Sequence, residues 1–127
     1  MGYLCVLAGS AAGGLSRYLL SRGISVVSSG VFPVGTMVIN LTGCFIIGFL
    51  SGVIEYKVVP PNLRLFLQTG FLGGYTTFST FGLETFSLMK SGEMSLALVN
   101  VVVSAVIGVA LVFAGYMVSQ VILRTVR

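Results

Sequence analysis

The chain has 127 residues, of which 56% are hydrophobic and 8% are charged, and its mean hydropathy of +1.07 lies far above the soluble globular range. It contains no histidine and only two cysteines, which argues against a transition-metal site and against an enzyme of the catalytic-triad type. The net charge of +4 forms no basic stripe, so no nucleic-acid partner is expected.

Four long uncharged runs divide the sequence. A helix that spans a bilayer needs roughly 20 mostly apolar residues, which these runs supply together with their flanks. A soluble four-helix bundle would need a polar face on each helix, and none of the runs has one. We therefore predict an all-α membrane protein, a single domain of four transmembrane helices over residues 1–127. The runs are 1–16, 23–54, 65–83 and 94–123.

Prolines and glycines mark the ends of the predicted helices. Arg17 lies in the last turns of the first helix, from which its guanidinium can reach water. Pro33 suits the start of the second helix, and Pro60 and Pro61 end that helix and open the third. The predicted bounds are about 3–21, 34–56, 63–90 and 95–123.

Small residues recur four positions apart, which puts each pair on one helix face. Such pairs let helix backbones approach closely in lipid, where apolar burial no longer drives association. They indicate close packing between helices, within one subunit or at a dimer interface. The pairs are Gly9 and Gly13, Gly48 and Gly52, Gly70 and Gly74, and Ser104 and Gly108.

The basic residues are divided almost equally between the two sides of the predicted bundle. An even number of helices puts both termini on one side, so the positive-inside rule has little bias to act on. We therefore predict insertion in both orientations and an antiparallel, dual-topology homodimer, which resembles the inverted symmetry of larger transporters. Lys57, Arg64, Arg124 and Arg127 lie on the side of the termini, and Arg17, Arg22 and Lys90 lie on the other.

The stretch GFLGGYTTFSTF at 70–81 is poorly suited to a continuous helix. Gly73 and Gly74 each lower helix propensity by about 1 kcal/mol relative to alanine. The hydroxyls of Thr76 and Thr77 can bind a loosened backbone. We predict a break near 73–77, where freed carbonyls could bind a hard monovalent cation. The alternative is a kinked, glycine-packed helix without an ion.

The residues after the break suit a small anion. Phe78 and Phe81 share one helix face, and the edge of an aromatic ring is its positive part. The hydroxyls of Ser79 and Thr80 and the amide of Asn40 add hydrogen-bond donors without a fixed charge. The alternatives are ordinary core packing of the phenylalanines and a structural helix–helix bond for Asn40.

Carboxylates are nearly absent from the predicted membrane segments. Only Glu84 approaches the membrane interior, and the first helix has no acidic residue. Proton-coupled transporters need an embedded carboxylate, so an ion channel is favoured over a pump. The alternatives are a small dual-topology multidrug exporter, which needs a carboxylate in its first helix, and a non-transporting scaffold subunit.

Three motifs make the sequence resemble the small bacterial fluoride channels of the Fluc (CrcB) family. They are GGLSRY at 13–18, GTMVINLTGCFIIG at 35–48 and GFLGGYTTFSTF at 70–81, and the resemblance extends over the whole chain. It implies a dual-topology homodimer in the bacterial inner membrane, with two antiparallel pores that conduct fluoride passively out of the cytoplasm and relieve its toxicity.

The resemblance also assigns roles to individual residues. It places Phe78, Phe81 and Asn40 on the fluoride path, beside a polar track of Ser79, Thr80 and Ser104. It implies a central structural Na⁺ at the dimer interface, bound by the carbonyls of Gly73 and Thr76, and it places Arg17 near an aqueous vestibule, where positive potential attracts anions. One departure is Asn100, which stands where some members carry a tyrosine.

Overall fold

The computed structural model describes residues 1–28 and 30–125, and these residues form helices and turns without a β-strand. The prediction of an all-α chain is therefore confirmed for this part of the sequence. Arg127, one of the basic residues counted above, lies outside the described residues. The elements are α1 (Gly2–Val27), α2 (Val34–Tyr56), α3 (61–75), α4 (Phe78–Lys90) and α5 (Met94–Thr125).

Three of the helices in the described ranges, α1, α2 and α5, are long and apolar enough to cross a membrane by length and composition. α1 continues to Val27, past the predicted end at Ser21, because no proline or glycine pair interrupts it there. The third predicted span is divided between α3 and α4, and neither part alone has the length of a span.

α3 changes its winding along its length. It begins with an α-helical turn at Pro61–Arg64, continues as a π-helix at Leu65–Leu72 and returns to an α-helical turn at Gly73–Tyr75. π-helical winding is rare and is frequent at functional sites. This winding is not predictable from the sequence, because hydrophobic spacing does not distinguish α-helical from π-helical turns over so few residues.

Glycines allow the backbones of α1 and α3 to touch. A Cβ atom added to Gly70 would lie 2.9 Å from the Cα of Gly9, and one added to Gly74 would lie 2.6 Å from the carbonyl oxygen of Ser10. A Cβ atom on Gly13 would lie 2.9 Å from the backbone nitrogen of Tyr75. Any larger residue at these positions would force the two helices apart.

The pairing of α2 with α5 uses the same device. A Cβ atom on Gly48 would collide with the backbone of Val112, and one on Gly52 would collide with the hydroxyl of Ser119. From the other side, Gly115 faces the backbone of Phe45 and Phe49. The pairs at 9/13, 48/52 and 70/74 thus pack helices within one subunit.

The buried apolar core is small and lies where α2 meets α3. It consists of Ile39, Leu72 and Tyr75, with Phe71 stacked on Tyr75 at a centroid distance of 5.9 Å. Most other large apolar side chains point outward, as expected of a helical protein surrounded by lipid. The core therefore anchors the segment that leads into the break between α3 and α4.

Candidate functional site

The backbone leaves the helical conformation at two consecutive threonines. Thr76 has φ −81° and ψ 159°, and Thr77 has φ −149° and ψ 119°, so both are extended. They separate α3 from α4 within the uncharged run 65–83. Extended backbone in a membrane segment requires partners for its polar groups, because water does not supply them there.

Asn40 of α2 supplies two of these partners. Its Nδ2 donates to the carbonyl oxygen of Thr77 at 3.0 Å, and its Oδ1 accepts from the backbone N–H of Thr77 at 2.8 Å. The side-chain amide thus pairs with Thr77 as a neighbouring strand would. One N–H of the Asn40 amide remains beyond these two bonds, so the structural and the anion-binding interpretations of this residue are compatible.

Thr77 also caps α4. Its hydroxyl oxygen accepts from the backbone N–H of Thr80 at 3.3 Å, which satisfies one of the free donors at the helix start. The same hydroxyl lies 3.0 Å from the hydroxyl of Thr80. Thr76 bonds backwards instead, with both its N–H and its hydroxyl donating to the carbonyl of Leu72.

A groove of about 630 Å³ lies beside the break. Six of the predicted site residues line it, and the rings of Phe78 and Phe81 lie there with centroids 5.7 Å apart and planes tilted by 37°. The side chain of Phe78 is 85% exposed, so the groove is open on that side. Its lining is Asn40, Gly43, Cys44, Ile47, Gln68, Leu72, Gly73, Thr76, Thr77, Phe78, Phe81, Val101, Ser104 and Ala105.

Ser104 contributes a hydroxyl to this groove from α5. Its oxygen is buried and has no hydrogen-bond partner within the described part of the chain. A buried hydroxyl without a partner is unfavourable in an apolar surrounding. The hydroxyl is therefore free to bind a ligand that enters the groove.

Three of the predicted residues are not brought to the groove lining. Ser79 and Thr80 are exposed on the first turn of α4, and Arg17 is half-buried on α1. Phe78 and Phe81 are three residues apart and therefore share the face of α4 that lines the groove. The two residues between them point away from that face.

The two residues whose carbonyls are predicted to bind a cation lie at the end of α3 and in the break that follows it. A Cβ atom on Gly73 would meet no atom within 4 Å, so that face of the helix is uncovered. Within residues 1–28 and 30–125, no loop, cap or side-chain donor binds the carbonyl of Gly73 or of Thr76. Both oxygens are thus hydrogen-bond acceptors that suit a hard cation.

Asn100 has a structural role that the sequence does not reveal. It is 1% exposed, and its Nδ2 donates to the hydroxyl of Thr85 at 2.9 Å. Thr85 in turn donates to the carbonyl of Phe81 at 2.7 Å. α5 is thereby connected to the turn of α4 that carries one of the two groove phenylalanines. Thr85, which sequence reasoning missed, carries no distinctive motif.

Several membrane-spanning segments, with a mostly apolar groove at a helix interruption that carries a few polar groups, are characteristic of a multi-pass membrane protein. Residues 4–116 match the family described as CrcB-like protein, Camphor Resistance (CrcB). The chain therefore belongs to the CrcB family, and the resemblance carried by its three motifs is confirmed.

Several relatives bear one name, "Fluoride-specific ion channel FluC". The protein of that name from Hydrogenobaculum sp. is 51% identical over 116 residues, which cover 91% of this chain and 94% of the relative. The one from Solibacter usitatus is 41% identical over 121 residues, 94% of this chain and 99% of the relative. The one from Pyrococcus furiosus is 43% identical over 116 residues, 91% of this chain and 93% of the relative.

Proposed function

We propose that this chain is the subunit of a channel that conducts fluoride passively across the bacterial cytoplasmic membrane and so protects the cell from fluoride. The observation that carries the proposal is the groove beside the Thr76–Thr77 break, where two phenylalanine rings and the free hydroxyl of Ser104 face one space. Relatives that align with more than nine-tenths of the chain are named as channels for this ion, not as enzymes.

The chemistry of the groove suits a strongly hydrated anion. Fluoride must exchange its water for several short donor contacts, which ring edges, hydroxyls and the remaining N–H of Asn40 supply. The groove lining contains no charged residue in the described part of the chain. A fixed cation there would hold the anion, whereas neutral donors let it leave.

The working form is proposed to be an antiparallel homodimer with two pores. The groove is open at Phe78, which is 85% exposed, and the helix face at Gly73 is uncovered. A second copy would close these surfaces, and the near-equal division of basic residues permits the inverted insertion that an antiparallel pair requires. Ser79 and Thr80, exposed in one subunit, would then extend the polar track along the path.

A structural Na⁺ is proposed at the centre of this dimer. The residues present fit it, since the carbonyls of Gly73 and Thr76 lack donors from loops, caps and side chains in the described part of the chain, and the helix face at Gly73 is uncovered. A bound cation would satisfy these carbonyls where lipid supplies no donor. Arg17, half-buried on α1, is proposed to attract anions to the entrance.

Ion efflux from liposomes tests the channel proposal. The purified protein is reconstituted into liposomes loaded with fluoride or with chloride, and release is followed with ion-selective electrodes. We expect rapid fluoride release and retained chloride. Absence of fluoride release from a protein that remains dimeric in detergent would contradict the channel and favour a scaffold.

A matched pair of phenylalanine substitutions tests the path. Phe81→Ile removes a ring that lines the groove, whereas Phe86→Ile removes an outward ring on the same helix that is 59% exposed and does not line it. We expect at least a tenfold loss of fluoride efflux for Phe81→Ile, about 1.4 kcal/mol in transport barrier, and near wild-type efflux for Phe86→Ile. Equal effects of both substitutions would show that the groove is not the path.

A further inference from the structure

A second cavity, of about 490 Å³, lies next to the groove along two helices. Thr36 lines it one helical turn before Asn40 on α2, and Glu84 lines it three residues after Phe81 on α4. The two cavities are therefore neighbours in the same helix pair. The groove contains no carboxylate in its lining, whereas Glu84 places one in the second cavity.

The two oxygens of the Glu84 carboxylate have different surroundings. Oε1 accepts a hydrogen bond from the hydroxyl of Thr36 at 2.8 Å. Oε2 is buried and has no hydrogen-bond partner among the described residues. A buried carboxylate oxygen without a donor or a cation is strongly unfavourable. Oε2 therefore needs a hydrogen-bond donor or a cation that the described residues do not supply.

The hydroxyls around this cavity cannot all act as donors. Ser25 donates to the carbonyl of Arg22 at 2.9 Å, Ser87 donates to the carbonyl of Leu83 at 2.9 Å, and Ser91 donates to the carbonyl of Leu88 at 3.0 Å. A hydroxyl has one hydrogen, and a carbonyl can only accept. These three oxygens can therefore only accept from their other neighbours. The same holds for the hydroxyl of Thr36, which donates to Glu84.

Four of the six hydroxyls in the lining of the second cavity thus present only lone pairs, and the lining has one negative charge. No lysine or arginine within the described ranges lines it, so no side chain of the subunit neutralises Glu84 there. Such a surrounding suits a hard cation with oxygen ligands. A single carboxylate balances a monovalent ion, and the described part of the chain has no group of three acidic, cysteine or histidine residues for a multivalent one.

We propose that this cavity binds a monovalent alkali cation, with Oε2 of Glu84 as its charged ligand and the hydroxyl oxygens of Ser87 and Ser91 as neutral ligands. Water completes the coordination. The ion and the carboxylate form a neutral pair beside the groove. For its consequence the inference rests on the proposed function: the neutral pair removes a negative charge that would repel an anion in the adjacent space.

Sodium-23 relaxation measures this binding without any transport. The full-length protein in detergent is titrated with NaCl, and the saturable excess relaxation of ²³Na⁺ is recorded for wild type, Glu84→Gln and Glu93→Gln. Glu93 is an exposed carboxylate in the turn between α4 and α5, so its variant is the matched control. Sodium bound by the carbonyls of Gly73 and Thr76 contributes equally to all three proteins.

We expect the part of the saturable ²³Na⁺ relaxation that comes from the cavity to fall several-fold in Glu84→Gln. Glu93→Gln should keep that part. Added K⁺ should compete with Na⁺, and N-methylglucamine should not. A Glu84→Gln protein that elutes from a size-exclusion column at the wild-type volume and keeps the full saturable ²³Na⁺ relaxation would overturn the proposal. If that variant does not fold, Ser87→Ala/Ser91→Ala replaces it, and an unchanged Na⁺ affinity there would overturn the proposal equally.

Fluoride efflux in Na⁺ and in N-methylglucamine separates this inference from the channel itself. Two results together support the cation site. Fluoride efflux through the wild type slows when N-methylglucamine replaces Na⁺, and efflux through Glu84→Gln does not change. Saturable Na⁺ binding that depends on Glu84 in a protein without fluoride efflux would support the site and contradict only the channel.

Discussion

Asn40 and Thr77 together replace backbone hydrogen bonds that the interruption removes from the helix. The amide of Asn40 binds both polar groups of the Thr77 backbone, and the Thr77 hydroxyl binds the N–H of Thr80. Each partner satisfies a group that lipid would leave unpaired. The shape of the groove thus depends on a few polar side chains in otherwise apolar helices.

Asn40→Ala is expected to destabilise the protein and to abolish fluoride efflux. The change leaves the N–H and the carbonyl of Thr77 without these partners, at a cost of about 1–3 kcal/mol for an unpaired buried group. Unfolding by SDS in mixed micelles measures the stability, and liposome efflux measures the function. Asn62→Ala, at an exposed asparagine in α3, serves as the control and should change neither. Unchanged stability of Asn40→Ala would contradict the role assigned to the amide.

The bond between Asn100 and Thr85 is expected to show a measurable coupling energy. In a double-mutant cycle of Asn100→Ala and Thr85→Val, we expect a coupling of about 0.6 kcal/mol, the average for such bonds between membrane helices. Unfolding by SDS measures the four proteins. Fluoride efflux should also fall, since Thr85 bonds the carbonyl of Phe81. Additive effects on stability would show that this hydrogen bond does not connect α4 to α5.

Among the helices, glycine placement decides which faces touch. Gly9, Gly13, Gly70 and Gly74 bring the backbones of α1 and α3 together. Between α2 and α5, Gly48 and Gly115 meet the backbone of the other helix, and Gly52 meets the side chain of Ser119. Close approach also increases dispersion contacts, which drive association where the hydrophobic effect is absent. The small residues predicted from the sequence to lie at helix contacts do so at 9/13, 48/52 and 70/74. In the fourth pair, Gly108 is buried against Cys44 of α2, whereas Ser104 lines the groove.

Two adjacent glycines on α1 provide a direct test of this packing. A Cβ atom on Gly13 would lie 2.9 Å from the backbone of Tyr75, whereas one on Gly14 would meet nothing within 4 Å. We expect Gly13→Ala to cost about 1–3 kcal/mol by forcing α1 from α3. Gly14→Ala should leave the stability equal or raise it by up to about 1 kcal/mol through helix propensity. Unfolding by SDS compares the two, and equal losses would show that α1 does not pack through Gly13.

The interruption between α3 and α4 combines a feature that the local sequence indicates with one that it does not. Glycines and threonines at 70–81 predict non-helical backbone near 73–77, and the structure has extended residues at Thr76 and Thr77. The π-helix at Leu65–Leu72 is not predicted. This segment packs against α1, where Gly70 lies against Gly9, and contacts between residues so distant in sequence are invisible to local propensity.

The proposed antiparallel arrangement of two copies is tested by measuring on which side of the membrane the turn between α4 and α5 lies. A single cysteine is introduced as Glu93→Cys, at an exposed position between α4 and α5, with Cys5 and Cys44 replaced by serine. In the proposed dual-topology homodimer, about half of the cysteines should react with a membrane-impermeant maleimide in intact cells, because the basic residues bias neither orientation. The other half should react only after permeabilisation.

Two controls accompany the labelling. The cysteine-free protein should remain unlabelled, and the Glu93→Cys protein should still release fluoride from liposomes. Labelling that is complete in intact cells, or absent from them, would show a single orientation and exclude an antiparallel pair.

Composition and local pattern determine the all-α membrane fold, because a helix satisfies all the backbone groups of a continuous apolar segment within that segment. They also identify the segment that breaks, since glycine and threonine act within one turn. The tertiary structure alone decides that Asn40 binds Thr77, that Asn100 reaches Phe81 through Thr85, and that Glu84 lies in a separate cavity. The bonds of Asn40 to Thr77 and of Asn100 to Thr85 join different helices, and only the packing of those helices brings the side chains within hydrogen-bond distance.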